Sequence, residues 1–401
     1  TALRFLVSSL NIYLLLVATV QSFQTPPTAK LGRDSALRQS SEKDDETFLR
    51  YNPTRRDVLI QSASLVLTSL LIGDPVYAAE NPQSIVMTGA NSGLGFEACK
   101  RLAKQGHSIV LACRSLAKAE DAIQRIRDAG ISEGSLTPAS CDLASLDSIK
   151  SFADGLPLSN IDVLCLNAGV ARNAGATDCV RTVDGFELTV GTNHFGHFYL
   201  NSLLLPKVAK DGKIVITASG VHDPDSPGGA QGVPATLGDL KGLETEGRHC
   251  EMIDGGAFNA DKAYKDSKLC NVLFTRELQR RLEAQDATKG ITANCFNPGL
   301  IVSTGLFRDQ NPLFTKVFDF AATDLLKVGE SPSWGGGCLT YMVNQVEDRG
   351  SFYSSAPGSS KYGDAAYGKQ FAASPVSKEA QDNTKATRLW ELTEKALIRV
   401  A

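Results

Sequence analysis

From residue 82 onward the chain alternates short apolar runs with longer amphipathic stretches, and this periodicity restricts the fold more than any other feature. "SIVMT", "HSIVLACR", "SLTPASCDL", "IDVLCLNAG", "GKIVITAS" and "GITANCFNPG" read as strands. Stretches such as "SLAKAEDAIQRIRDAG" between them read as helices. Strands alternating with helices of ten or more residues imply βαβ units and a parallel sheet. The expected fold is therefore α/β: a Rossmann-type doubly wound sheet with helices on both faces, forming a single domain over 82–401. Ligands of such sheets bind outside the carboxyl ends of the strands.

The first of those ends carries "TGANSGLG". Gly89, Gly93 and Gly95 let the backbone turn tightly and approach a pyrophosphate, while Asn91, Ser92 and Leu94 place amides at the opening of the next helix. After the second run stands Arg114, where a cofactor with a free ribose diol would be met by Asp or Glu. Arginine there suits a 2'-phosphate, so the expected cofactor is NADPH. A surface arginine without a ligand is the plain alternative.

Further along, "KAYKDSKLCN" puts Tyr264 and Lys268 four positions apart. Residues so spaced share one helix face, and a neighbouring ammonium lowers a phenol's pKa. Alone, such a pair is usually an ordinary amphipathic helix. Here it follows the glycine turn, "NAG" (Asn167, Ala168, Gly169), Asn193 and Ser219, and precedes Pro298 and Gly299. That ordered set resembles the short-chain dehydrogenase/reductases over about residues 82–400. The resemblance implies that Ser219 positions an acceptor, Tyr264 exchanges a proton, Lys268 holds the ribose, and Asn193 anchors a proton relay. It also implies that Asp142 and Leu143 line the adenine and that Thr304 faces the nicotinamide.

A narrower resemblance lies in "DGFELTVGTNHFGHFYL", "ATLGDLKGL", "MIDGGAFNADKAYKDSKLCN", "STGLFRDQNPLF" and "RLWELTEKAL". These segments are similar to the light-dependent protochlorophyllide oxidoreductase group of that family. The resemblance implies NADPH-dependent, light-driven reduction of the C17=C18 bond of protochlorophyllide. The chain departs from that group in having Leu300 where cysteine is usual, "NAGVARN" at 167–173, and serine at 219. Those departures keep open a dark NADP-dependent carbonyl or alcohol reductase acting on a bulky apolar compound. A non-catalytic NADPH-binding scaffold is a third reading. Ser219 and Tyr264 stand 45 positions apart, with an insertion beside the site between them, and Leu300 to Lys327 is expected to act with it as a C-terminal lid. Phe307, Phe314, Phe318 and Phe320 would be pocket walls or plain core.

The first eighty residues read as an address. Residues 1–22 have the form of a signal peptide and 23–57 of a polar, transit-like linker; 58–81, behind Arg55 and Arg56, suits a thylakoid-type twin-arginine signal or an anchor. Phe23 after the first apolar run resembles algal plastid presequences. The expected location is the plastid, stromal or thylakoid-associated, with delivery to the lumen a further reading.

The formal net charge of −3 gives no general electrostatic case for nucleic acid. Nine cysteines, an odd number without CxxC spacing, suggest neither a disulfide framework nor a metal site. His194 and His197 read as structural. The helical stretches 184–209 and 259–286 offer a face for homo-oligomer formation.

Overall fold

The computed structural model describes residues 81–244, 250–302 and 329–398. The expected leader, Thr304 and the phenylalanines at 307–320 lie outside them. The described strands form one eight-stranded sheet in the order β3-β2-β1-β4-β5-β6-β7-β8. They are β1 (Ser84–Thr88), β2 (Ser108–Cys113), β3 (Ser135–Ser140), β4 (Ile161–Leu166), β5 (Val208–Thr217), β6 (Thr292–Asn297), β7 (Phe352–Ser355) and β8 (Phe371–Ala373). All neighbours are parallel except β7 and β8.

β7 and β8, only four and three residues long, were not among the expected strands. Runs so short carry too little periodicity to be read from sequence.

The helices are α1 (Gly93–Lys104), α2 (Leu116–Asp128), α3 (Leu146–Gly155), α4 (Leu188–Val190 continuing through Gly191–Gly196 to His197–Leu204), α5 (Lys241–Glu244), α6 (Ala260–Glu283), α7 (Pro332–Gln345) and α8 (Asn383–Ile398). The central strands are apolar on both faces because helices cover both. In β1, Val86 joins one apolar cluster with α3, α4, α6 and α8, while Ile85 and Met87 join another with α1, α2 and α7. Each such fully buried aliphatic side chain stabilises the fold by about 1.5–3 kcal/mol.

Helix α7 contains Gly335, Gly336 and Gly337, each costing roughly 1 kcal/mol of helix propensity. Their reason is tertiary. A Cβ on Gly336 would lie 2.5 Å from the Glu97 Cβ, and one on Gly335 would lie 2.4 Å from Ile301 Cδ1. α7 therefore rests almost backbone to backbone on α1, the helix that leaves the glycine turn.

Helix α6 begins at Asn259, whose side chain accepts from the Lys262 amide at 2.8 Å, and ends on Arg280 and Arg281, favourable at a helix C-terminus. Most of it is buried. Trp390 of α8 packs on Phe198 of α4 (centroids 4.6 Å) and stacks on Phe274 of α6 (5.7 Å), with the Arg281 guanidinium 4.5 Å over its ring. The aromatic side chains of α4 and α6 are covered in this way by the chain's own α8.

The cysteines bring a correction. Cys179 and Cys250 form a disulfide, against the expectation of none, while the other seven are buried free thiols. The two partners are 71 positions apart, and no local spacing rule reports a pairing made by tertiary folding.

Among the described residues, no helix is long and apolar enough to cross a membrane.

Candidate active site

β1 pairs with β2 on one side and β4 on the other, so strand order reverses between β1 and β4. This switch point opens a crevice at their carboxyl ends. Gly89 leaves β1 at φ +68°, and a Cβ there would come within 2.8 Å of the Ala168 Cα. Gly93 has φ +57°, and a Cβ on Gly95 would lie 2.5 Å from the Gly89 oxygen and from Asn167 Nδ2. Turn and helix thus meet at a distance only glycine permits.

Ser92 caps α1 without a side-chain hydrogen bond to its amides. The first-turn N–H groups of a twelve-residue helix are left with the positive end of its dipole, which suits a pyrophosphate. The Asn91 carbonyl accepts from Arg125 Nη2 at 2.6 Å, and that guanidinium also stacks 4.3 Å over Phe96. Leu94 packs beneath, against the cluster containing Trp334. Arg114 stands exposed just past β2.

Asp142 turns the chain after β3 by accepting from the Ala144 amide at 3.0 Å. Leu143 is buried against Gly196, where a Cβ would meet its carbonyl at 2.3 Å.

Thr88 is a hub that sequence reasoning passed over. Its hydroxyl oxygen accepts from the amides of Asn167 (2.8 Å) and Ala168 (3.0 Å). It also lies 3.0 Å from His197 Nε2 and 3.2 Å from the Cys165 carbonyl. His197 Nδ1 lies 3.1 Å from the Asn193 carbonyl, which can only accept. Nδ1 therefore carries the proton, and Nε2 and the Cys165 carbonyl are the two acceptors facing the one Thr88 hydroxyl proton. Burial holds His197 and His194 down at about 3, so both rings are neutral. They are structural, as the sequence suggested.

Asn193 sits in a π-helical turn, Gly191–Gly196, a distortion frequent at functional sites. Its Oδ1 accepts from the Val170 amide at 2.8 Å, and its Nδ2 donates to the Val170 carbonyl (2.9 Å) and Ser267 Oγ (3.0 Å). Ser267 in turn donates to the Tyr264 carbonyl at 2.6 Å. The asparagine is thereby locked between α6 and the loop after β4.

Lys268 is buried, and its Nζ donates to the Thr217 carbonyl at 3.1 Å. Among the described residues this leaves two ammonium protons for a ligand. A Cβ on Gly169 would lie 3.6 Å from this Nζ and 3.4 Å from Asn193 Oδ1, so the NAG turn passes within van der Waals contact of both. Burial brings Lys268 down to about 8.

The Tyr264 phenol rises to about 12 because the surrounding protein excludes water, although a Ser219 hydrogen bond pulls it the other way. The expected lowering by Lys268 is not found: the forces on the phenol are desolvation, which penalises the phenolate, and the opposing Ser219 hydrogen bond. Ser219 lies just beyond β5. Its carbonyl is held by His222 Nδ1 at 2.7 Å, and His222 Nε2 accepts from the Ser377 amide at 3.3 Å.

Gly299 completes the rim at φ +90°, its amide donating to Asn297 Oδ1 at 3.2 Å. Pro298 precedes it in contact range of α7. The Leu300 carbonyl accepts from the Glu330 amide at 2.7 Å. Glu330 is buried, and its carboxylate takes the amides of Ser359 (2.8 Å) and Ser360 (2.7 Å), tying the turn to the loop after β7.

The fold thus gathers Asn193, Ser219, Tyr264 and Lys268 beside the glycine crevice. A hydroxyl donor, a cation and an anion-accepting helix start together suit proton and hydride exchange with a nicotinamide cofactor.

The family model for short chain dehydrogenase matches residues 83–231. The chain is 38% identical over 323 residues to the chloroplastic protochlorophyllide reductase of Cucumis sativus, covering 78% of this chain and 77% of the relative. It is 34% identical over 386 residues to protochlorophyllide reductase A of Hordeum vulgare, covering 90% and 95%. An uncharacterized protein of Mycobacterium paratuberculosis, solved by crystallography, superposes with a TM-score of 0.56 at 30% identity, over 80% of this chain and 96% of its own. The chain belongs to the short-chain dehydrogenase/reductase family, as an oxidoreductase with protochlorophyllide reductases among its curated relatives.

Proposed function

We propose that the protein is an NADPH-dependent reductase of protochlorophyllide, reducing its C17=C18 bond in a light-dependent step within the plastid. The observation that carries the reading is the assembled quartet of Asn193, Ser219, Tyr264 and Lys268 in a chain that is 38% identical to a protochlorophyllide reductase over 323 residues.

The residues present fit a dinucleotide. The uncapped amides of Gly93, Leu94 and Gly95 would receive the pyrophosphate, Lys268 the ribose hydroxyls, and Arg114 a 2'-phosphate. Asn91, Asp142, Leu143, Asn167, Ala168, Pro298, Gly299 and Thr304 would line the rest of the cofactor. When bound, NADPH supplies the hydride. Tyr264, protonated at neutral pH, supplies the proton through its hydroxyl, and the Ser219 hydrogen bond together with the buried ammonium stabilises the charge it leaves. Asn193 positions this apparatus by joining α6 to the loop after β4. Residues 82–401 would form the catalytic domain, with 1–81 as a two-part plastid address.

Mixing protein, NADPH and protochlorophyllide in darkness should give a bound-pigment spectrum, and a flash should convert it to a red-shifted chlorophyllide band. Failure to bind pigment, with dark oxidation of NADPH by an aldehyde or ketone, would overturn this reading. It would instead support the carbonyl reductase that Leu300, Ser219 and the 167–173 loop also suit. Leu300, 36% exposed at the rim, offers a second probe. Leu300→Cys should increase photoconversion in a pigment enzyme and leave a dark carbonyl activity unaltered.

A further inference from the structure

Cys179 and Cys250 join two loops, each rooted at the candidate active site. The first loop follows β4 and begins with Val170, which exchanges two hydrogen bonds with Asn193. The second is the insertion that leaves Ser219 and returns at Asn259, the cap of the helix carrying Tyr264. On the helix side the insertion is well fastened: Lys262 Nζ donates to the Thr236 carbonyl at 2.6 Å, and Lys265 Nζ donates to the Val233 carbonyl at 3.1 Å. Towards α4, the helix that the first loop leads into, a small cavity is lined by Glu187, Val190, Phe195, Leu243, Met252 and Ile253. The covalent bond ties the insertion to the first loop itself.

Its chemistry favours reversibility. Both sulfurs belong to half-exposed residues, whereas the seven free cysteines are buried. Arg181 Nε lies 3.3 Å from Cys250 Sγ. A guanidinium beside a sulfur stabilises its thiolate and makes it the better leaving group.

We propose that Cys179–Cys250 is a redox latch, opened by a dithiol reductant, that sets how firmly the insertion between Ser219 and Asn259 is held against α6 and the loop after β4. A thiolate of the reductant attacks Cys179 Sγ, the S–S bond breaks, and Cys250 leaves as a thiolate beside Arg181. The reductant's second thiol then attacks the mixed disulfide and frees Cys179. Two electrons and two protons pass to the protein's cysteines, and the reductant is left as a disulfide. A small dithiol and a protein dithiol share this chemistry and differ in the rate at which they open the bond. The consequence for catalysis, weaker binding of a bulky substrate with the nicotinamide site unchanged, rests on the function proposed above.

The test treats the native protein with dithiothreitol and follows alkylation of its thiols, amide hydrogen exchange and steady-state kinetics. Two further cysteines should become alkylated without unfolding, and exchange over 235–243 and 251–256 should accelerate several-fold. The KM for protochlorophyllide should rise several-fold while that for NADPH stays constant. Cys179→Ser should match the reduced enzyme and cease to respond. A bond that resists dithiothreitol until the chain unfolds would overturn the latch. So would a bond that opens without changing exchange, or without changing the KM of an enzyme that turns the pigment over. If exchange responds but protochlorophyllide is neither bound nor reduced, the latch stands and the substrate reading falls.

Discussion

Lys268 and Tyr264 lie one turn apart on α6, with the ammonium nitrogen 5.6 Å from the centre of the phenol ring. Burial acts on them in opposite senses, raising the phenol to about 12 and lowering the ammonium to about 8. At neutral pH both keep their protons, the state required for a proton donor beside a cation. Tyr264→Phe should reduce turnover by roughly 10²- to 10⁴-fold and leave NADPH affinity, measured by fluorescence titration, almost unchanged. As pH rises through about 8, Lys268 loses its charge and turnover should decline. A Lys268→Arg variant with residual activity should lack that decline, because guanidinium does not titrate there.

Arg114 is exposed at the end of β2, where a 2'-phosphate would lie. Charge-assisted bonds to phosphate contribute about 1.5–3 kcal/mol. Arg114→Glu should therefore raise the KM for NADPH by roughly tenfold or more and change that for NADH much less. Equal effects in parallel kinetic titrations would remove the case for NADPH preference.

Lys262 lies between Asp266, at 2.5 Å, and Asp254, at 3.1 Å. Asp266 also accepts from the Thr236 amide at 3.1 Å. Burial pushes the Asp266 carboxyl up to about 7 against the pull of Lys262. Lys262→Met would strand the buried Asp266 carboxylate and should lower unfolding stability by about 3–5 kcal/mol. The double variant Lys262→Met with Asp266→Leu should recover part of that loss, and urea denaturation of the four proteins gives the coupling.

His194 lies 3.0 Å through Nε2 from Thr393 of α8, and burial lowers it to about 3. A base depressed on folding binds fewer protons in the folded state between its two pKa values. Its contribution to stability is therefore lost as pH falls from about 6.5 towards 3. His194→Gln keeps a polar atom towards Thr393 and does not titrate. It should flatten the fall in stability between pH 6.5 and 4.5 by a few kcal/mol, as read by thermal unfolding at each pH.

Much of this protein is local and therefore legible in the sequence. The six expected strands form because apolar runs between amphipathic stretches can be buried only in a sheet covered on both faces. Gly89, Gly93 and Gly95 announce a turn because only glycine tolerates those dihedral angles and approaches. The i, i+4 spacing of Tyr264 and Lys268 fixes their common helix face. What the spacing could not supply was their environment. The phenol is raised because protein from distant segments excludes water, and no count of neighbouring charges contains that quantity. Thr88, Ser267 and His222 support the site through partners 79, 74 and 155 positions away, beyond any local pattern. The Cys179–Cys250 bond, the two shortest strands and the close approach of α7 to α1 likewise depend on which surfaces meet once the chain is compact. Periodicity and turn chemistry determined the elements and the order of the chemical groups. Tertiary packing decided which of those groups are desolvated, paired or cross-linked, because burial and long-range contact are properties of the assembled chain.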